Sequence, residues 1–361
     1  MKTHLTRRSL TNFQKRLLTW FRAHQRDLPW RSSRDPYRIW VAEIMLQQTR
    51  IAAVMPYYDR FLKHFPTVES LAHAPQQEIL KLWSGLGYYS RARNLHLAAK
   101  SIVANHNGKF PRTQQAALEL PGIGAYTAAA VLSIAYDEPL AVLDGNVARV
   151  LARIHAIPGD LRAPRTWRAL TATAGHLLAR ESPRDWNQAL MELGEVICTP
   201  KSPHCLVCPL VQSCQSYAQG ITHEIPAPRR RRAPVSITIA ALILLDPQGR
   251  TLLVKDPGAH DDALFSRMWQ FPAIQIARRP KSELQKYFAE TFAMPKIALQ
   301  ELPSARHGVT FRNITLVPFL ARFAKLPKIP RSRIIKLKAL AKVPISSATR
   351  KLASVAIRSK L

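Results

Sequence analysis

The chain reads as two domains, an all-helical one followed by a smaller mixed α/β one, and three observations predict this. Its 361 residues exceed the usual span of one hydrophobic core. From residue 10 to about residue 217, apolar side chains recur at helical spacing. Beyond a proline- and arginine-rich stretch at 227–234, the pattern changes to short β-branched and aliphatic runs, the signature of strands.

Within the helical part, the first element is amphipathic, with Phe13, Leu17, Leu18 and Phe21 on one face. Pro29, Pro56, Pro66, Gly85 to Gly87, Pro111 and Pro121 to Gly124 then punctuate the chain into helices. Helices are expected over 113–119 and 125–135, and again over 147–154. The stretch 227–234 combines prolines with a run of arginines, and mutual repulsion and proline make it a linker between domains 1–226 and 235–361. In the second domain, strands at 236–245 and 251–255 flank a hairpin turn at 246–250. A helix at 282–292 and a strand at 314–323 follow. The tail from Lys325 to Leu361 holds eleven Lys or Arg and no acid. The sequence shows no internal repeat.

Charge narrows the partner. Lys and Arg number 53 against 23 Asp and Glu, a formal net charge of +30, which points to a polyanion. Nucleic acid and an anionic membrane surface both fit, but the longest apolar runs, such as 237–245, are too short to span a bilayer. The basic N-terminus passes directly into an amphipathic helix and lacks the apolar core of an export signal, so a cytoplasmic protein is expected, with no membrane association.

All four cysteines fall within seventeen residues, as Cys198-x6-Cys205-x2-Cys208-x5-Cys214. Scattered structural cysteines would not cluster so, and disulfides are disfavoured in a reducing cytosol. Four thiolates suit zinc or an iron-sulfur cluster. Zinc ribbons usually carry two Cys-x2-Cys knuckles, whereas this loop has one, so the spacing leans toward iron-sulfur with zinc the competitor.

Three further features carry chemistry. Leu120-Pro-Gly-Ile-Gly124 lies between two helical patterns and reads as a tight turn opening a helix N-terminus. Gly122 and Gly124 leave its amides accessible to a phosphate, although a plain helix-helix turn has the same signature. Glu43 has Ile39, Trp40 and Leu46 as helical neighbours, so its carboxylate is expected to be poorly hydrated and its pKa raised, as a general acid requires. The alternative is a glutamate that escapes to solvent. Asp144 precedes the helix at 147–154 and reads as an N-cap, a role compatible with serving as a fixed anion held ionised by amides.

These residues lie in longer motifs: Leu28-Pro-Trp-Arg31, the run from Trp40 to Thr49, Gly85-Leu-Gly-Tyr-Tyr-Ser-Arg91, Leu120 to Thr127, Leu143-Asp-Gly-Asn-Val147 and Asn187 to Gly194. Together with the cysteine loop they resemble the adenine DNA glycosylase (MutY) family of the helix-hairpin-helix glycosylase superfamily. That resemblance implies an all-α helix-hairpin-helix glycosylase domain with an iron-sulfur cluster loop, followed by a smaller α/β Nudix-like domain. It also implies one 4Fe-4S cluster on Cys198, Cys205, Cys208 and Cys214, and a monomeric enzyme acting on double-stranded DNA that carries A:8-oxoguanine or A:G mispairs.

The family's chemistry maps onto this chain residue by residue. An adenine flipped from the duplex would enter a pocket lined by Trp30, Arg31, Leu46 and Gln188. Glu43 would protonate N7 of the base, and Asp144 would stabilise the oxocarbenium-like sugar or bond to it transiently. Tyr126 and Asn146 would orient these groups. Gln48, Thr49 and Leu86 match residues that contact the opposite guanine, and Tyr88 matches one that wedges into the stack, though a core aromatic reads the same. Strand-cleaving relatives carry a lysine where this chain has Tyr126, so the resemblance implies base removal without strand cleavage. Helix 282–292 lacks the glutamate-rich motif of working Nudix hydrolases, which implies recognition rather than hydrolysis there. One departure stands out: where many family members have Phe-Ser-His, this chain has Val309-Thr310-Phe311. Thr310 keeps a hydroxyl, but the histidine is missing. The competing readings are a strand-cleaving or thymine-directed glycosylase of the same fold, and a non-catalytic DNA-binding protein.

Overall fold

A computed structural model describes residues 7–227, 233–255, 268–292, 297–309, 311–327 and 330–359. The arginine run of the expected linker, and Thr310, lie outside the described residues. The helices of the first part are α1 (Arg7–His24), α2 (Pro36–Leu46), α3 (Ile51–His64), α4 (Val68–His73), α5 (Gln76–Trp83), α6 (Tyr89–Asn105) and α7 (Gln114–Leu118). They continue with α8 (Ala125–Tyr136), α9 (Gly145–Ile154), α10 (Pro164–Leu177), α11 (Pro183–Val196) and α12 (Gln215–Ala218). Then come β1 (Val235–Leu245), β2 (Arg250–Lys255), β3 (Trp269–Gln270), β4 (Ala273–Ile276), α13 (Pro280–Phe292), β5 (Gln300–Glu301), β6 (Ala305–Val309), β7 (Arg312–Arg322), β8 (Ser332–Lys336) and α14 (Ser347–Arg358). The expected helices and strands each appear, within a few residues of the predicted ends.

By internal contact the chain forms two compact units, residues 1–73 with 93–230, and residues 74–92 with 231–361. The first unit is helical. Its core is built from side chains that the 3.6-residue period places inward, including Phe13, Leu17 and Phe21 of α1, Trp40 of α2 and Trp186 of α11. Local chemistry sets the helix ends that matter for the site. Asp35 caps α2 through Tyr37 N at 2.9 Å, with Pro36 in the first turn, where a missing N–H costs nothing. Thr113 caps α7, and Asp144 caps α9 through Val147 N at 2.7 Å.

The second unit combines α5 and the turn after it with the β domain, although the sequence places 74–92 inside the helical run. Its sheet runs β3-β2-β1-β7-β5, with β4 paired to β1, β6 to β7 and β8 to β2. β1 and β7 pair in parallel along their whole length, from Val235 opposite Arg312 to Leu245 opposite Arg322. The apolar run of β1 is buried on both faces because helices cover both. Ala241, Ile243 and Leu245 pack in one cluster with Leu352 and Ala356 of α14, whereas Ala240, Leu242 and Leu244 pack in another with Leu284 and Phe288 of α13. The β1–β2 turn is held by Asp246, whose carboxylate accepts from Gln248 N and Arg250 N.

Candidate active site

Several elements of the first unit bring their polar residues to one cavity of about 410 Å³. From α2 and the loop before it come Trp30, Arg31, Glu43 and Leu46; Gln48 and Thr49 follow the helix. Tyr126 comes from the first turn of α8, Asp144 and Asn146 from the start of α9, and Gln188 from α11. Leu86 and Tyr88 belong instead to the second unit, Leu86 buried and Tyr88 exposed.

Glu43 does not escape to solvent. Only 6% of it is exposed, and burial pushes its carboxyl up to about 7, reinforced by the nearby Asp144 charge. The Tyr126 hydroxyl, which donates to Glu43 Oε2 at 2.8 Å, and the Arg31 guanidinium pull the other way. Burial raises the Tyr126 hydroxyl as well, so it remains the proton donor of that pair.

Asp144 has the expected cap geometry, but its electrostatics differ from the expectation of a carboxylate simply held ionised by amides. Burial raises its pKa; bonds from the Val147 and Asn146 amides oppose this and do not outweigh it. The surroundings of Asp144 are fixed from α11. Buried Asn187 accepts from Val142 N at 3.2 Å and donates to Leu140 O at 2.7 Å, tying down the segment that leads to the cap. Asn146 Oδ1 accepts from Arg149 at 3.0 Å, and Arg149 also donates to the Gly194 carbonyl at 2.7 Å, which binds α9 to α11.

An ion cluster that the sequence reading did not single out borders the cavity. Glu192 accepts from Arg26 through both oxygens at 2.7 Å and from Arg31 at 2.6 Å, and its side chain is almost fully buried. Desolvation alone would raise this carboxyl, but the two guanidiniums hold it down at about 2. Met191 and Glu195 line the cavity beside it, with Met191 Sδ 3.3 Å from the Tyr126 hydroxyl. The sequence shows only that Met191, Glu192 and Glu195 share a helix face with Gln188; the pairing of Glu192 with Arg26 and Arg31 carries no local signal.

The turn expected to hold phosphate precedes α8. Gly122 takes a left-handed φ of 78°, and a Cβ there would lie 2.6 Å from Asn94 Cβ. Gly124 is the N-terminal cap of α8, and a Cβ there would meet nothing within 4 Å. The four cysteines line one small apolar cavity of about 30 Å³. Burial raises the Cys205, Cys208 and Cys214 thiols, Cys208 to about 12, and each feels neighbouring thiols of the set. Among the described residues no three His, Cys, Asp or Glu side chains gather closely enough for a single metal ion. Buried Arg153 braces the loop, donating to Thr199 O at 2.7 Å, Pro200 O at 3.1 Å and Cys198 Sγ at 3.4 Å.

Comparison with known proteins points the same way. Residues 41–172 match the HhH-GPD superfamily base excision DNA repair protein family. The chain is 34% identical to the adenine DNA glycosylase of Mus musculus, over 85% of this chain and 70% of that protein. It is 36% identical to the adenine DNA glycosylase of Buchnera aphidicola subsp. Baizongia pistaciae, over 72% of this chain and 73% of that protein. Among solved structures it is similar to a thermostable thymine-DNA glycosylase, with a TM-score of 0.54 and 32% identity, covering 58% of this chain and 97% of the other.

Proposed function

The chain belongs to the adenine DNA glycosylase family, and from that membership we propose that it hydrolyses the N-glycosidic bond of adenine mispaired with 8-oxoguanine or guanine, without cutting the strand. One observation carries the mechanism: a buried, proton-retaining Glu43, hydrogen-bonded to Tyr126, lines the same cavity as the capping Asp144. Neutral adenine is a poor leaving group, and protonation at N7 by Glu43 lets it depart. The electron-poor sugar left behind faces Asp144, which stabilises it as an ion pair or a transient covalent adduct until water adds to C1′, freeing Asp144 and leaving an abasic site. Asn146, fixed by Arg149, and Tyr126 orient the two carboxyls. Trp30, Arg31, Leu46 and Gln188 hold the extruded base, while Gln48, Thr49, Leu86, Tyr88 and Thr310 read its partner. Gly122 and Gly124 offer backbone amides to a phosphate.

Strand cleavage through a Schiff base needs an amine, and the hairpin offers Tyr126 at the position where cleaving relatives carry one. Cys198, Cys205, Cys208 and Cys214 would hold a 4Fe-4S cluster. Their shared apolar cavity and the N–H···S contact from Arg153 are compatible with such a group. A bound cluster supplies a rigid crosslink among the four cysteines, and on that loop exposed Lys201 and His204 would contact phosphate. The protein would act as a monomer in the cytoplasm.

The test uses end-labelled duplexes with A:8-oxoguanine, A:G and T:G pairs, incubated with and without alkali. Strand breaks at adenine that appear only after alkali support the reading, and Glu43→Gln should abolish them while leaving duplex binding largely intact. Breaks before alkali would indicate a lyase. Thymine release from T:G would move the assignment toward the enzyme of the similar solved structure.

A further inference from the structure

By composition the C-terminal stretch is strongly basic, and in the structure much of it folds into the second unit, where Arg350 and Lys351 make protein contacts. Ser346 caps α14, accepting from Thr349 N at 3.0 Å. Ala348, Leu352, Ala353, Val355 and Ala356 bury against the sheet. Two neighbouring residues on the exposed side then reach two different elements. Arg350 Nη2 donates to Ser84 Oγ at 3.0 Å, on the turn that follows α5. Lys351 Nζ donates to the Arg306 carbonyl at 2.8 Å, on β6.

The turn is seated from beneath as well. Ser84 Oγ donates to the Ile345 carbonyl at 2.9 Å, and the Tyr89 hydroxyl donates to the same oxygen at 3.2 Å. Ser84 and Ile345 are buried, and Ile345 bridges to Trp269 of β3, so the seat is continuous with the sheet. What it supports is a conformation the chain would not choose alone. Gly85, Gly87 and Tyr88 have φ of 107°, 80° and 47°, and a left-handed tyrosine is costly unless its surroundings impose it. Trp83 Nε1 and Arg91 both donate to the Gly87 carbonyl, and Arg91 lies over the Tyr88 ring at 5.3 Å. On the other side, β6 ends at Val309, opposite Arg312 of β7, and so leads into the segment that carries Thr310.

We propose that α14 is a bracket that fixes the Ser84–Tyr88 turn and strand β6 relative to each other, with Arg350 and Lys351 as its positioning residues. This rests on the reading that Leu86, Tyr88 and Thr310 recognise the base opposite adenine. Within it, the bracket sets the spacing between the wedge and strand β6, which precedes the proposed lesion sensor, so that one opposite base is tested from both sides. The cations of α14 thereby serve discrimination between oxidised and normal guanine rather than general affinity for phosphate.

The experiment compares full-length protein with Arg350→Ala, Lys351→Ala and the double variant in single-turnover excision from A:8-oxoguanine and A:G duplexes. Each single variant should lower the ratio of the two rates by about tenfold, the order expected for losing a charge-assisted hydrogen bond. The double variant should be little worse than either, since both break one device. Arg350→Lys, which keeps a donor, should recover part of the ratio. A second readout is the fluorescence of 2-aminopurine beside the opposite base, whose rise on binding reports wedge entry; the Ala variants should lose it. Equal loss on both duplexes with a shallower salt dependence would mean phosphate contact and overturn the bracket. A lower melting temperature with an unchanged ratio would reduce α14 to structural support and overturn it too. Should the unaltered protein show no preference for 8-oxoguanine, the specificity reading falls, and the fluorescence still decides: loss in the variants supports the bracket, retention overturns it.

Discussion

At the scale of single residues, the proposed mechanism depends on one carboxyl that keeps its proton near neutrality. Burial is the largest cause at Glu43, and the Asp144 charge adds to it, while Tyr126 and Arg31 subtract. A general acid must be protonated to act, so single-turnover excision should fall as pH rises through about 7, approaching roughly tenfold per pH unit beyond it. A flat profile from about pH 6 to 9 would remove Glu43 from the acid role. The same shift has a stability consequence of definite sign. A carboxyl whose folded pKa lies above its unfolded one favours the fold below the unfolded value, and that contribution is lost as pH rises through the folded value. Glu43→Gln should therefore raise the melting temperature at about pH 8 but hardly at about pH 4. The gain is of the order of 3 kcal/mol at most, while activity drops by about 10² to 10⁴. Glu192 supplies the complementary test. It holds Arg31 at 2.6 Å, and without its charge the guanidinium is freer to attract the Glu43 carboxylate. Glu192→Gln should then move the alkaline limb to lower pH; a shift the other way, or none, would show that Arg31 does not tune the acid.

At the scale of elements, close approach of helices sets catalytic geometry. α9 and α11 meet at Gly194, where a Cβ would lie 2.9 Å from Asn146 Cβ and 3.2 Å from its backbone. Gly194→Ala should displace Asn146 and the Asp144 cap beside it. Excision should fall by about tenfold or more while duplex affinity changes little, because a misplacement of a few tenths of an ångström acts on the reacting groups rather than on the phosphate contacts. Single-turnover rates and gel shifts on one duplex check this, and equal losses in both would mean that the contact supports binding instead. The helices that meet here were legible because their information is local: an Asp-Pro pair starts α2, Asp144 starts α9, and in the second unit the apolar run of β1 ends at Asp246. The Arg26–Glu192–Arg31 cluster was not legible, since its partners lie more than 160 residues apart and nothing in either segment demands the other. The grouping of 74–92 with the β domain was hidden for the same reason: α5 has an ordinary amphipathic pattern, and only its tertiary partners show where it belongs.

At the scale of the whole molecule, charge and chemistry are separable. The net charge of +30 is carried largely by exposed Lys and Arg, whose interactions with DNA are screened by salt. The carboxyls proposed to perform the reaction line one cavity, Glu43 buried and Asp144 half-buried, where screening is weak. Affinity for duplex should therefore drop steeply and linearly on logarithmic axes as salt rises, with a slope near about −0.9 for each phosphate neutralised. The single-turnover rate at saturating enzyme should stay within about twofold over the same range, because salt changes how much DNA is bound and not the proton held by Glu43. Measuring both on one A:8-oxoguanine duplex between about 50 and about 300 mM salt, over which the Debye length shrinks by more than half, separates the two effects. A rate that fell in step with affinity would mean that surface cations reach the chemical step. The assignment of excision to a cavity shielded from counterions would then be wrong, however well Glu43 and Asp144 are placed within it.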